Sequence, residues 1–124
     1  MTEPKTRILV VDDDLRLREL LERYLAEQGF AADSVADGRA LDASLNRERY
    51  DLVVLDLMLP GMPGLELCRR LRADTAQLPI IVVSAKSSAS DKALGLAMGA
   101  DDYVTKPFSP RDLLTRAIAL LPRR

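Results

Sequence analysis

Residues 8–14 read Ile8-Leu9-Val10-Val11-Asp12-Asp13-Asp14. Four apolar residues in a row, three of them β-branched, leave no polar side for water, so the run predicts a strand covered on both faces, as in a parallel sheet. Leu52-Val53-Val54-Leu55 and Ile80-Ile81-Val82-Val83 have the same character, and weaker strands are expected over 30–35 and at Tyr103-Val104. Between these runs apolar residues recur with helical spacing. Leu17, Leu20, Leu21, Tyr24 and Leu25 define one face of a first helix that Gly29 stops, because glycine enters the left-handed conformation cheaply. Residues 39–48, 65–72, 92–98 and 111–121 read as four more helices, the last ended by Pro122. Parallel neighbours need right-handed crossovers, so the alternation predicts an α/β domain with a doubly wound, five-stranded parallel sheet and five helices. A chain of 124 residues has room for one such domain, spanning 1–124.

In open sheets of this kind reactive groups gather beyond the carboxyl ends of the strands. The residues expected there are Asp12, Asp13 and Asp14, then Asp56, then Ser84, then Lys106. Any one alone reads as a polar residue ending its strand in a turn. The set reads differently. At ~4 Å and an effective dielectric near 20, each pair among Asp12, Asp13 and Asp56 repels by about 4 kcal/mol, so positive charge must sit among them. Lys106 supplies one, and a hard divalent cation suits the remainder; Mg²⁺ typically takes one or two carboxylates and keeps several waters. Acids, a lysine and a hydroxyl are also the parts of a phosphoryl-transfer site in which a carboxylate acts as nucleophile.

Composition narrows the alternatives. Lys plus Arg total 18 and Asp plus Glu 19, so the chain lacks the basic excess of a surface that binds DNA or RNA. It has no histidine and one cysteine, which excludes Ser-His-Asp triads, Cys-His nucleophiles, His-ligated metals and intramolecular disulfides. No apolar run approaches the roughly 20 residues of a membrane span, and Met1-Thr2-Glu3-Pro4-Lys5-Thr6-Arg7 lacks a signal peptide's apolar stretch; a cytoplasmic protein without membrane contact is expected.

Val10-Val11-Asp12-Asp13-Asp14, residues 55–61, Val83-Ser84-Ala85-Lys86 and Tyr103-Val104-Thr105-Lys106-Pro107-Phe108 resemble the four signature segments of the receiver domain of two-component response regulators. Ala100-Asp101-Asp102-Tyr103 and Lys106-Pro107-Phe108-Ser109-Pro110 further resemble the OmpR subfamily of transcriptional regulators. The resemblance covers essentially the whole chain. It implies a flavodoxin-like strand order, 2-1-3-4-5. It also implies that Asp56 accepts a phosphoryl group from a phosphohistidine of a sensor histidine kinase. Asp13 and Asp56 would ligate Mg²⁺ directly, Asp12 through water, and Met58 through its backbone carbonyl. Lys106 would pair with Asp56 at rest and with a phosphoryl oxygen afterwards, and the Lys106–Pro107 bond would be cis.

The same resemblance implies a switch. Ser84 would turn toward the added phosphoryl oxygens and Tyr103 would move from exposed to buried, where position alone reads Tyr103 as an ordinary half-buried strand tyrosine. Output would pass through the face of the fourth helix, fifth strand and fifth helix, on which Lys92, Asp101, Asp102, Asp112 and Arg116 offer opposite charges for a symmetric homodimer. Ala97 and Ile118 replace a charged pair of many relatives and Ala117 a larger apolar residue, so a weaker or repacked dimer is expected. Met58 and Lys86 occupy the two positions that tune dephosphorylation, and neither can orient water as an acid or amide does, which implies slow self-hydrolysis.

Two rival functions remain at this point. A haloacid-dehalogenase-like phosphatase would need a second acid two residues beyond the nucleophile, where Met58 stands. A receiver-like interaction module would work without phosphorylation, contrary to the complete set of Asp12, Asp13, Asp56, Ser84 and Lys106. Elsewhere, Cys68 reads as core, Asp14 as a helix cap, residues 60–64 as a turn, Arg69, Arg70 and Arg72 as a solvated helix face, and Ser87, Ser88 and Ser90 as a loop. The resemblance implies that an OmpR-type regulator would continue into a winged-helix DNA-binding domain beyond Arg124.

Overall fold

The computed structural model describes residues 5–59, 61, 63–121. Five parallel strands, β1 (Arg7–Val11), β2 (Ala31–Val35), β3 (Leu52–Asp56), β4 (Ile80–Ser84) and β5 (Asp102–Thr105), lie in the order β2-β1-β3-β4-β5. The connecting helices are α1 (Leu15–Glu27), α2 (Gly38–Arg47), α3 (Gly64–Asp74) and α4 (Ala89–Ala97), and α5 (Pro110–Leu120) follows β5. This is the doubly wound sheet expected, with the implied order.

The continuous apolar runs are explained by two cores. Leu9, Val11, Val53, Leu55, Ile80 and Val82 point to one face, against Leu41 of α2 and Leu67, Cys68 and Leu71 of α3. Ile8, Val10, Leu52, Val54, Ile81 and Val83 point to the other, against Leu21 and Leu25 of α1 and Leu113, Leu114 and Ala117 of α5. Cys68 is fully buried, as its sequence context suggested. Edge strand β2 is only partly buried, which is why its sequence signal is weak.

Several boundaries shift for local reasons. Ser88 caps α4, its hydroxyl accepting from the Asp91 amide at 3.1 Å, so the helix starts before Lys92 and Ser90 lies within it. Asp14 caps α1 as expected, accepting from the Arg16 and Leu17 amides, and Gly29 closes that helix at φ +96°. Leu20 does not join the buried stripe of α1: it is 47% exposed, lying about 100° around the helix from the stripe's centre. Gly64 opens α3 against β3's exit, where a Cβ would stand 2.3 Å from the Leu57 Cα, so only glycine fits. Pro122, the expected stop of α5, lies outside the described residues, as do Pro60 and Met62 of the expected turn.

Arg72 is the clearest departure from the expected solvated face. Its guanidinium donates to the Gly99 carbonyl at 2.9 Å, the Ala76 carbonyl at 2.9 Å and the Asp101 carboxylate at 2.5 Å. Asp101 in turn accepts from the Ile80 amide at 2.8 Å. The pair fastens the end of α3 to the turn before β5. Arg69 and Arg70 keep surface roles, with Glu66 and Asp42.

Candidate functional site

The parallel strands deliver their last residues to one rim. Asp56 ends β3 and Asp12 follows β1, and both are almost wholly buried, at 2% and 1% exposed. Lys106 follows β5, held there by its amide's bond to the Ser84 carbonyl at 2.8 Å. Its Nζ reaches Asp12 Oδ2 at 3.0 Å and Asp56 Oδ2 at 3.1 Å. Lysine therefore bridges two acids, where the resemblance implied a pairing with Asp56. The remaining oxygens are engaged by amides: Asp12 Oδ1 accepts from the Asp14 N–H and Asp56 Oδ1 from the Met58 N–H, each at 2.9 Å.

Asp13 is exposed beside them, and one oxygen from each of Asp12, Asp13 and Asp56 lies within 4.8 Å of the others. Three carboxylates against one ammonium leave an excess of two negative charges. Burial pushes the Asp56 carboxyl above its ordinary range, and the Asp12 charge pushes the same way; the Met58 amide and Lys106 pull against them. Burial works against the Lys106 ammonium, but hydrogen bonds and attraction from Asp12 and Asp56 outweigh it and hold its pKa above the usual value. An all-oxygen donor set with surplus negative charge and an exposed member open to solvent fits Mg²⁺.

Ser84 ends β4, fully buried, with its hydroxyl accepting from the Lys86 amide at 3.2 Å. Tyr103 is buried, at 7% exposed, rather than half-buried, and its hydroxyl donates to the Lys86 carbonyl at 2.8 Å. The two thus meet the same short segment after β4. Between β3's exit and α4 runs a cleft of about 390 Å³ lined in part by Met58, Pro63, Ser84, Lys86, Leu94 and Tyr103. A larger hollow of about 610 Å³, lined in part by Tyr50, Leu78, Pro79 and Leu120, lies at the opposite end of the strands and includes none of the rim residues. The Lys106–Pro107 bond is cis.

On the face of α4, β5 and α5, Arg116 forks onto both oxygens of Asp102 at 3.1 Å and lies 3.5 Å from Asp112. Lys92 is exposed. Asp101 instead engages Arg72, a pairing the sequence did not signal. Ala117 is buried in this chain's own core, so its small size bears on internal packing; Ile118 is 55% exposed. Sequence reasoning also passed over Thr105, whose buried hydroxyl has no hydrogen-bond partner among the described residues, and Gly95, the one buried residue of α4.

Known proteins share both sequence and fold. SphR of Synechococcus elongatus, an alkaline phosphatase synthesis transcriptional regulatory protein, is 45% identical over 97% of this chain and 50% of its own length. The sensory transduction protein RegX3 of Mycobacterium bovis is 48% identical over 95% of the chain and 52% of its own length. The chain thus spans about half the length of these curated relatives. Among solved structures, the beryllofluoride-activated receiver domain of Klebsiella pneumoniae RstA superposes with a TM-score of 0.87 at 36% identity, covering 95% of this chain and all of that one. The Francisella response regulator 1452 receiver domain gives 0.87 at 35%, over 93% and 95%. Residues 8–118 match the response regulator receiver domain model, and with the rim geometry and these relatives the conclusion is that the chain belongs to the response regulator receiver domain family.

Proposed function

We propose that Asp56 is the phosphoacceptor of this receiver domain. A carboxylate oxygen of Asp56 attacks the phosphorus of a phosphohistidine on a sensor histidine kinase. The P–N bond breaks, its electron pair returns to the imidazole nitrogen, and an acyl phosphate forms on Asp56. The carrying observation is the ammonium of Lys106 held between the buried acids Asp12 and Asp56. That ammonium is placed to follow a phosphoryl oxygen once Asp56 carries the phosphoryl group. Asp12, Asp13 and Asp56, with the Met58 carbonyl, would hold Mg²⁺, which supplies neutralisation of charge on the phosphoryl oxygens. Ser84 and Tyr103 form the switch, linked through Lys86.

Output passes through the face of α4, β5 and α5 as a homodimer in which Lys92, Asp102, Asp112 and Arg116 set charge complementarity, with Asp101 bracing the turn behind them. The regulator works in the cytoplasm and acts on DNA through an effector domain, as the transcriptional name of SphR suggests. Its only catalysis is its own phosphorylation and dephosphorylation. Met58 stands where a phosphatase of the haloacid-dehalogenase type carries its second acid, which disfavours that reading.

Acetyl phosphate with Mg²⁺ should add one phosphoryl group to the intact protein and none to Asp56→Asn, read by mass spectrometry. Labelling of the variant at the same extent overturns the assignment. Because neither Met58 nor Lys86 can orient water, the phosphorylated form should be long-lived; release of phosphate with a half-life of seconds would contradict this.

A further inference from the structure

Gly95 sits in the interior of α4, where glycine is among the least favourable residues, and it is buried. Neither a positive φ nor a turn explains it. Its environment does. A Cβ at this position would stand 2.8 Å from Cδ2 and 3.0 Å from Cε2 of Tyr103, while its next neighbour, Val82 Cγ2, would be at an ordinary 3.5 Å. The crowding falls on one flexible ring. That ring is held inward at its far end by the hydroxyl's bond to the Lys86 carbonyl. On either side of Gly95, Leu94 and Leu96 are about half exposed, so α4 meets β5 chiefly where the side chain is missing.

We infer that Gly95 is a positioning residue: the empty space at its Cα is what admits the buried rotamer of Tyr103. A methyl group there is accommodated most cheaply by turning the ring outward, since the alternatives are moving a strand or a helix. This deepens the proposed switch and rests on that reading for its consequence in signalling. The ring's position itself can be measured without phosphorylation.

The test is Gly95→Ala in the whole chain with fluorotyrosine incorporated, the Tyr103 resonance being assigned by Tyr103→Phe and Tyr24 and Tyr50 serving as internal controls. The Tyr103 signal should shift to an exposed position accessible to a soluble paramagnetic probe, its buried population falling by about tenfold or more. Labelling of Asp56 by acetyl phosphate should match wild type, and dimerisation with beryllofluoride and Mg²⁺ should be lost. In a Tyr103→Ala background the same substitution should raise the unfolding midpoint more than it does with the ring present, because the helix gain remains and the crowding is gone. A ring still buried in Gly95→Ala, or equal effects in the two backgrounds, overturns the inference. If Asp56 is unlabelled in wild type and variant alike, the acceptor assignment falls while the ring position still decides the role of Gly95. Should Gly95→Ala fail to fold, recovery on adding Tyr103→Ala supports the contact and continued failure overturns it.

Discussion

Lys106 Nζ lies 3.0 Å from Asp12 and 3.1 Å from Asp56, both buried, so removing it strands two carboxylates beside each other. Lys106→Ala should lower stability in metal-free buffer by about 2–3 kcal/mol, discounted from the full cost of breaking a buried pair because the ammonium reaches solvent. Mg²⁺ should restore part of the loss. Urea unfolding with and without the ion checks this, and an unchanged midpoint in metal-free buffer would contradict it. Asp12, Asp56, Ser84 and Lys106 were legible in the sequence because each ends or closely follows an apolar run, and parallel topology sends all such ends to one rim. Arg72 and Gly95 were not. Their roles depend on Asp101, 29 positions away, and on a ring of another element, and neither partner leaves a local pattern.

At the scale of elements, the opposite end of the sheet is fastened by β1, β2 and the entry to β3. Tyr50 donates to Asp33 Oδ2 at 2.6 Å, Arg7 lies 5.3 Å from its ring centroid, and Arg7 pairs with Asp33 at 3.0 Å. Burial raises the phenol's pKa, and the hydrogen bond to Asp33 raises it further against a lowering by Arg7. A raised folded-state pKa means that the unfolded chain releases this proton first. The group's contribution to stability is therefore full below about pH 10, the unfolded value, and is lost as pH rises through the folded value. Tyrosinate absorbance should titrate in a late step absent from Tyr50→Phe, and that variant's stability should decline less above pH 10. A Tyr50 titration at or below the ordinary value would contradict the assignment. Element identities followed from periodicity, but the starts of α4 and α5 followed from the hydroxyls of Ser88 and Ser109, whose effect is local bonding that no apolar pattern carries. The exposure of Leu20 reflects how narrow a stripe α1 buries, which depends on what it packs against.

For the whole molecule, the sheet separates two ends with different tasks, the acidic rim and the Tyr50 cluster, and presents α4, β5 and α5 as a lateral face. On that face Arg116 already holds Asp102 within the chain, so in the proposed homodimer a partner copy would have to share or exchange the pair. Arg116→Ala should weaken the proposed phosphorylated dimer by about two- to fivefold, with the effect shrinking at high salt, as measured by sedimentation. Undiminished association would remove Arg116 from the interface. The only cysteine of the chain, Cys68, is sealed inside the core between the sheet and α3, and burial holds its thiol above the usual pKa. An alkylating reagent can reach that sulfur only when the core opens, so the rate of modification counts excursions from the native state and gives a built-in clock for each variant without any added probe.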